Sequence, residues 1–121
     1  MTDQRSLAAS DQALNQRILG GDILGAFEAY YSDDVVMQEN DEPPCKGKAA
    51  NRIREQAFVD SVGQLHAIKL LGSAVGDGIS FSEWMMDITY KNGSRSNAHQ
   101  ASVRRWKDGK VASERFYYGK H

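Results

Sequence analysis

The stretch from Ile79 to Tyr118 constrains the fold most, because segments of strand character alternate there with tight-turn signals. The segments of strand character are residues 79–90, 94–106 and 110–118. The turn signals between them are Asn92-Gly93 and Asp108-Gly109. Asn-Gly and Asp-Gly favour the primed turns of hairpins, because these residues accept a positive φ. The stretch therefore predicts an antiparallel meander of three strands.

Both faces of the predicted meander carry distinctive side chains. Successive residues of a strand point to opposite faces, so charged and apolar positions separate. One face holds Glu83, Asp87, Arg104 and Glu114, and the other holds Trp84, Met86, Ile88 and Val103. Register decides which face is covered by the rest of the chain, because a shift of one residue exchanges the two faces.

The composition indicates a single globular domain, residues 1–121. The 15 basic and 16 acidic side chains leave no basic excess for nucleic acid. No apolar run approaches the ~20 residues of a membrane span, and residues 1–10 lack the apolar core of a signal peptide. We therefore expect a cytosolic protein with no nucleic-acid or membrane partner. Cys45 is the only cysteine and cannot form an internal disulfide, which agrees with a reducing compartment.

Helical periodicity dominates the first half of the chain. Residues 1–6 are polar and are expected to fray, and an apolar stripe from Leu7 to Leu19 then predicts the first helix. Gly20-Gly21 should end that helix, and Asp22 should cap a second one that runs to about Tyr31.

A third helix is predicted from Lys48 to about Val62. Its expected apolar side consists of Ala49, Ile53, Phe58, Val59 and Val62. Its expected solvent side consists of Arg52, Arg54, Glu55 and Asp60. Short strands at residues 35–39 and 65–71 complete the pattern, with a bend at Gly72. The order of elements predicts an α+β fold in which the helices lie on one antiparallel sheet.

Several motifs resemble the nuclear transport factor 2-like superfamily, in its SnoaL-like and ketosteroid isomerase-like branch. They are the Gly-Asp turn after the first helix, Tyr31-Ser-Asp-Asp-Val35, Pro43-Pro44 with Gly47, Trp106-Lys-Asp-Gly-Lys-Val111 and Glu114-Arg-Phe-Tyr-Tyr118. The resemblance implies a cystatin-like cone of three helices on a curved antiparallel sheet, with a small-molecule pocket at its open end. It also implies a homodimer through the back of the sheet, and no metal or organic cofactor.

The same resemblance implies which residues face the pocket. The isomerases place an oxyanion-donating acid at the position of Ser102, a tyrosine at or near Leu14, and a general base at Gln38 or Glu39. Candidate catalytic residues are Asp87, Glu83, Arg104, Glu114 and Glu39. Candidate ligand-binding residues are Tyr30, Gln38, Met85, Gln100, Ser102, Trp106, Phe116 and Tyr118. The chain departs from the isomerase pattern at two of the three catalytic positions, so steroid isomerisation is not expected.

Carboxylates among apolar groups suit acid–base chemistry, because burial raises the pKa of a carboxyl towards neutrality. An arginine beside them holds one carboxylate ionised while its neighbour exchanges a proton. Epoxide hydrolases of the resembled family use such an acid–arginine–acid group, and the sequence contains these residue types. The alternative is that Arg104 only neutralises Glu83 or Glu114, in a domain that binds a ligand or dimerises without catalysis.

The remaining reactive side chains predict no further site. His66, His99 and Cys45 lack the spacing of metal ligands. The apolar face is expected to pair with a second copy of the chain, since a sheet face of this kind is rarely left in water. The residues assigned to that homodimer interface are Trp84, Met86, Ile88, Val103 and Tyr117.

Overall fold

The structure is a computed structural model that describes residues 4–119. In chain order the elements are α1 (Gln4–Leu19), α2 (Ile23–Tyr30), β1 (Tyr31–Glu39), β2 (Cys45–Lys46), α3 (Lys48–Ser61), β3 (Val62–Gly76), β4 (Ile79–Tyr90), β5 (Arg95–Lys107) and β6 (Lys110–Tyr118). α1 begins at Gln4, three residues before the helix start predicted at Leu7, and the expected fraying of the first residues stays a prediction. The same expectation for residues 1–3 lies outside the described residues.

The predicted boundary between the first two helices is confirmed. Gly20 and Gly21 donate their N–H groups to the carbonyls of Gln16 and Ile18, at 3.0 and 2.9 Å. Asp22 then caps α2, because its carboxylate accepts the N–H of Gly25 at 3.0 Å. The cap satisfies a backbone donor that has no partner within the helix.

The strands form one sheet in the order β2-β1-β6-β5-β4-β3. The pairings are antiparallel except that between β1 and β6, which is parallel, so the predicted α+β class is confirmed with a mixed sheet. The core between helices and sheet consists of Leu7, Leu14, Ala26, Phe27, Tyr31, Val35, Met37, Trp106 and Val111. Within residues 4–119, no helix has the length and hydropathy needed to cross a membrane.

The turn between β4 and β5 corrects the predicted faces. Tyr90 pairs with Ser94 around a three-residue loop, and within this loop only Gly93 has a positive φ, of 92°. By contrast, Asp108 and Gly109 both have positive φ and form the expected two-residue turn. The extra loop residue shifts the register of β4 against β5 by one position.

The inward face of β4 is therefore the opposite of the predicted one. Ser80, Ser82 and Trp84 pair with Arg104, Ser102 and Gln100 and share their face towards the helices. The predicted site residues of β4, Glu83, Met85 and Asp87, point to the outer face of the sheet together with Phe81 and Thr89. The three-residue loop exchanged the two sides of this strand without changing its boundaries.

Candidate functional site

A cavity of about 300 Å³ lies between the sheet and the three helices. Its size is at the lower end of the range of ligand pockets, about 300 to 1,000 Å³. Its apolar wall consists of Leu14, Ile18, Ile23, Ala26, Phe27, Met37, Phe58, Trp84, Met86 and Phe116. Its polar residues are Tyr31, Gln38, Glu39, Asn51, Arg54, Glu55, Gln100, Ser102, Arg104 and Glu114. The cavity therefore suits a largely apolar molecule with few polar groups.

Arg104 forms the charged floor of this cavity and is only 2% exposed. Its Nε donates to Glu114 Oε2 at 2.7 Å, and its Nη1 donates to Asp11 Oδ1 at 2.8 Å and Asn15 Oδ1 at 2.7 Å. Burial disfavours the cation, but the negative charges around it, above all that of Glu114, raise the pKa of Arg104 above its ordinary value. Arg104 therefore stays charged and ties α1 to β5 and β6.

Glu114 is held by three side chains. Ser102 Oγ and Arg104 Nε both donate to its Oε2 at 2.7 Å, and the Tyr31 hydroxyl donates to its Oε1. Burial, followed by the charge of Glu114, raises the pKa of Tyr31 well above its ordinary value, so Tyr31 remains a donor. Among the described residues no buried side-chain nitrogen or oxygen lacks a hydrogen-bond partner. The floor is thus a satisfied network, as stable burial of charge requires.

Glu55 differs from the floor because its carboxyl makes no hydrogen bond with any described residue. It lies on the cavity face of α3 together with Asn51, Arg54 and Phe58, which are three or four residues apart. Burial and then the charge of Glu114 raise the pKa of Glu55 to about 7. A carboxyl with this pKa can take up and release a proton near neutral pH.

The predicted sides of α3 are wrong for three residues, whereas Phe58 lines the cavity and Asp60 is exposed, as expected. Glu55 and Arg54 were expected on the solvent side, whereas both line the cavity. Ile53 was expected on the apolar side, whereas it is 72% exposed. Asn51 is buried and donates to the carbonyls of Cys45 and Gly47 at 2.9 Å, which fixes the start of the helix. The buried position of Asn51 is thus held by a polar side chain that satisfies backbone carbonyls, where helical periodicity favours an apolar side chain.

A second polar group lies at the end of β1, where Glu39 lines the cavity. Arg54 Nη2 donates to Glu39 Oε2 at 2.7 Å, and the Tyr118 hydroxyl donates to Glu39 Oε1 at 3.1 Å. Both side chains of the ion pair are nearly half exposed, with Arg54 at 45% and Glu39 at 40%. Burial and then Glu39 raise the pKa of Tyr118 to about 12. This exposed end of the cavity is called the mouth below.

More than half of the predicted site residues line the cavity or its mouth. Gln38, Glu39, Gln100, Ser102, Arg104, Glu114 and Phe116 line the cavity, and Tyr118 adjoins it through Glu39. These residues lie on β5, β6 and the end of β1, where the face towards the cavity is the predicted one. Whether any of them acts on a ligand stays a prediction.

Five predicted residues lie elsewhere. Glu83, Met85 and Asp87 lie on the outer face, because the register of β4 differs. Arg95 binds Asp87 through two hydrogen bonds of 3.0 and 2.9 Å and lowers the pKa of that carboxyl. Tyr30 and Trp106 belong to the packing of the core, where the Trp106 indole donates to Ser80 Oγ at 2.9 Å.

Three of the residues assigned to the dimer interface are also on the other side of the sheet. Trp84 and Ile88 are 2% and 3% exposed, and Trp84 and Met86 line the cavity. Val103 and Tyr117 retain the predicted outward orientation. The outer face instead includes Phe81, which is 45% exposed.

Sequence reasoning missed Asp11, Asn15, Arg54 and Glu55. Asp11 and Asn15 are four residues apart on the same side of α1 as Leu7 and Leu14, which the 3.6-residue period predicts. Polar residues on such a stripe are a signal for a buried network. Among the described residues, no group of three or more His, Cys, Asp or Glu side chains is placed to hold a metal ion.

Several solved structures share this fold. A proposed SnoaL-like polyketide cyclase from Mesorhizobium loti is 28% identical to this chain and superposes with a TM-score of 0.84. The match covers 98% of this chain and 100% of that protein. A proposed polyketide cyclase from Xanthomonas campestris is 22% identical, with coverages of 98% and 93% and a TM-score of 0.78. A proposed isomerase from Rhodopseudomonas palustris is 18% identical, with coverages of 99% and 93% and a TM-score of 0.74.

The family assignment rests on the sequence as well. No curated protein matches the chain. The sequence profile of the SnoaL-like domain, however, matches residues 22–118, which include α2, α3 and the entire sheet. The chain therefore belongs to the SnoaL-like domain family.

Proposed function

We propose that the protein is a cofactor-free acid–base enzyme that moves a proton on a small, largely apolar carbonyl compound. The observation that carries the proposal is the carboxyl of Glu55, which lines an apolar cavity without a hydrogen-bond partner among the described residues. A pKa of about 7 suits a group that takes and returns a proton at neutral pH. Glu55 replaces Asp87 and Glu83 as the candidate base, because those two lie on the outer face.

The proposed reaction is an isomerisation through an enolate. The Glu55 carboxylate removes a proton from the carbon next to the carbonyl, and the electron pair of the C–H bond moves to the carbonyl oxygen. Glu55 then returns the proton to another carbon of the conjugated system, so no atom is gained or lost. Gln100 lines the cavity with an amide that makes no hydrogen bond with the described residues, and it is the candidate donor to the enolate oxygen.

One structural relative is named for this class of chemistry. It is the proposed isomerase from Rhodopseudomonas palustris, whereas others are named as proposed polyketide cyclases or a proposed hydroxylase. The satisfied floor around Arg104 favours a different role for that arginine. Because Glu114, Asp11 and Asn15 hold its Nε and Nη1 and balance its charge, Arg104 supports the cavity and is not proposed to react.

The test is exchange of carbon-bound protons in D₂O, followed by proton NMR with 2-tetralone as a bicyclic ketone probe. The wild type should accelerate loss of the signal of the protons next to the carbonyl. Glu55→Gln should reduce this acceleration by about 10² or more, the usual contribution of a positioned base. Over the range around pH 7 the rate should increase with pH, because only the carboxylate accepts the proton.

Glu83→Gln and Asp87→Asn are matched controls, because they change carboxyl groups of the outer face only. Both should retain the wild-type rate. If Glu55→Gln exchanges protons as fast as the wild type, the proposal is wrong. If the wild type binds the probe without accelerating exchange, the alternative of a non-catalytic ligand-binding domain is favoured.

We also propose that the outer face of the sheet forms a homodimer. Phe81 and Tyr117 are 45% and 44% exposed on this face. Glu83 and Arg105 are both exposed on this face and carry opposite charges. Two copies related by a two-fold axis can therefore pair Glu83 of one copy with Arg105 of the other. The interface thus includes Val103 and Tyr117 of the predicted set, together with Phe81 and Met85.

A further inference from the structure

The two arginines that line the cavity differ in how many of their donors are engaged. Arg104 is 2% exposed and binds Glu114, Asp11 and Asn15. Its Nε and Nη1 donors are engaged, and the buried carboxylates of Glu114 and Asp11 already balance its charge. Arg104 is therefore a poor anchor for a ligand.

Arg54 has a single hydrogen bond with the described residues, the one from Nη2 to Glu39 Oε2 at 2.7 Å. A guanidinium has five N–H donors in a planar fork, so most donors of Arg54 have no partner among residues 4–119. Its side chain is 45% exposed at the mouth, which leaves room for a second partner. It adjoins Glu55 in sequence, and both residues line the same cavity.

We infer that Arg54 is a specificity-determining residue that binds a carboxylate of the substrate at the mouth. This inference rests on the proposed function, because it gives the substrate of the same cavity a second feature. The apolar body of the substrate occupies the wall around Phe27, Phe58 and Phe116, and its carboxylate reaches the Arg54 fork. A planar guanidinium binds a carboxylate through two parallel hydrogen bonds, which gives geometric selectivity as well as affinity.

Glu39 is the natural competitor of that carboxylate. It occupies one donor of Arg54, and Tyr118 donates to its other oxygen at 3.1 Å. The Tyr118 bond gives Glu39 a partner when a ligand takes the guanidinium. Glu39 thus sets a threshold, because a ligand shares the guanidinium with a carboxylate that already binds it, and only a strong acceptor binds the remaining donors in that competition. Neutral acceptors such as alcohols and amides bind a guanidinium less strongly than carboxylates do.

The test compares two probes that share a skeleton, 4-phenylbutyrate and 4-phenylbutanamide, by isothermal titration calorimetry in low salt. The wild type should bind the carboxylate about tenfold more tightly than the amide, since hydrogen bonds to charged groups contribute more than neutral ones. Arg54→Gln should abolish this preference by weakening the carboxylate alone. Arg54→Lys should retain part of it, because lysine keeps the charge but not the fork. Glu39→Gln should strengthen carboxylate binding several-fold, because it removes the competing charge.

Arg52→Gln is the matched control. Arg52 lies on the same helix but binds Glu28 and Gln56 and does not line the cavity. The inference is overturned if the wild type does not bind the carboxylate, if it shows no preference for it, or if Arg54→Gln weakens both probes equally. Glu55→Gln should keep the preference, so this binding experiment and the proton-exchange experiment can fail independently.

Discussion

Arg104 and Glu114 form an ion pair with 2.7 Å between Nε and Oε2, and each residue is only 2% exposed. The pair connects neighbouring positions of β5 and β6, while Asp11 joins it from α1. One buried cation thus balances two buried carboxylates from different layers of the fold. Such a group stabilises the structure only as long as all of its members are present.

Replacement of Arg104 by glutamine should destabilise the protein strongly. Two carboxylates would remain buried without a cation, and loss of one partner from a buried pair costs about 3 to 5 kcal/mol. Urea unfolding monitored by circular dichroism measures the change in the free energy of unfolding. Arg95→Gln is the control, because Arg95 forms an exposed pair with Asp87 and should change stability little. Equal effects of the two substitutions would contradict the role of Arg104.

The fold could be predicted from the sequence because its signals are local. Glycine pairs, capping residues and strand periodicity act over a few residues, and they fixed the limits of β4 and β6. The inward face of β4 does not follow from such local signals. It depends on whether the loop before Ser94 has two or three residues, and Asn92-Gly93 is compatible with both.

The floor of the cavity shows a second limit of sequence reasoning. Arg104 and Asp11 are 93 positions apart in sequence, so no local pattern connects them. The sequence contains the residue types of an acid–arginine–acid group, and it left Glu83 or Glu114 as the partner of Arg104. The structure pairs Arg104 with Glu114 and adds Asp11 from the first helix. Packing of α1 over the sheet, which no single motif encodes, selects this partner.

Tyr31→Phe should cost more stability than Ser102→Ala. The Tyr31 hydroxyl is the partner of Glu114 Oε1 among the described residues, whereas Ser102 shares Oε2 with Arg104. An unsatisfied buried acceptor costs about 1 to 3 kcal/mol, and loss of one of two donors costs less. Thermal unfolding of both variants compares these losses directly. A larger loss for Ser102→Ala would show that the two oxygens of Glu114 are not held as described.

Glu55 should make the protein less stable as the pH rises from about 4.5 to about 7. Its carboxyl has an ordinary pKa of 4.5 and a pKa of about 7 in the folded protein, so the folded state binds the proton more tightly. Between these values the folded protein therefore holds more protons than the unfolded chain, and stability falls with rising pH. The loss amounts to about 3 kcal/mol at most, from 1.36 kcal/mol for each pKa unit.

Urea unfolding at pH 5 and pH 8 measures this contribution. Glu55→Gln should show a smaller decrease between the two pH values than the wild type, because glutamine does not titrate. Asp33→Asn should keep the wild-type decrease, since Asp33 is an exposed acid that does not line the cavity. Identical decreases in Glu55→Gln and the wild type would contradict the raised pKa of Glu55.

Phe81→Asp should convert the proposed homodimer into a monomer. Phe81 is 45% exposed on the outer face, and an aspartate there places an unpaired charge within the proposed interface. Light scattering after gel filtration should give twice the 13.4 kDa chain mass for the wild type and a single chain mass for the variant. Ile53→Asp is the matched control, because Ile53 is 72% exposed on α3, outside that face, and should leave the dimer intact. A monomeric wild type would contradict the proposed dimer. Dissociation by Ile53→Asp alone would place the interface at α3 and not on the outer face.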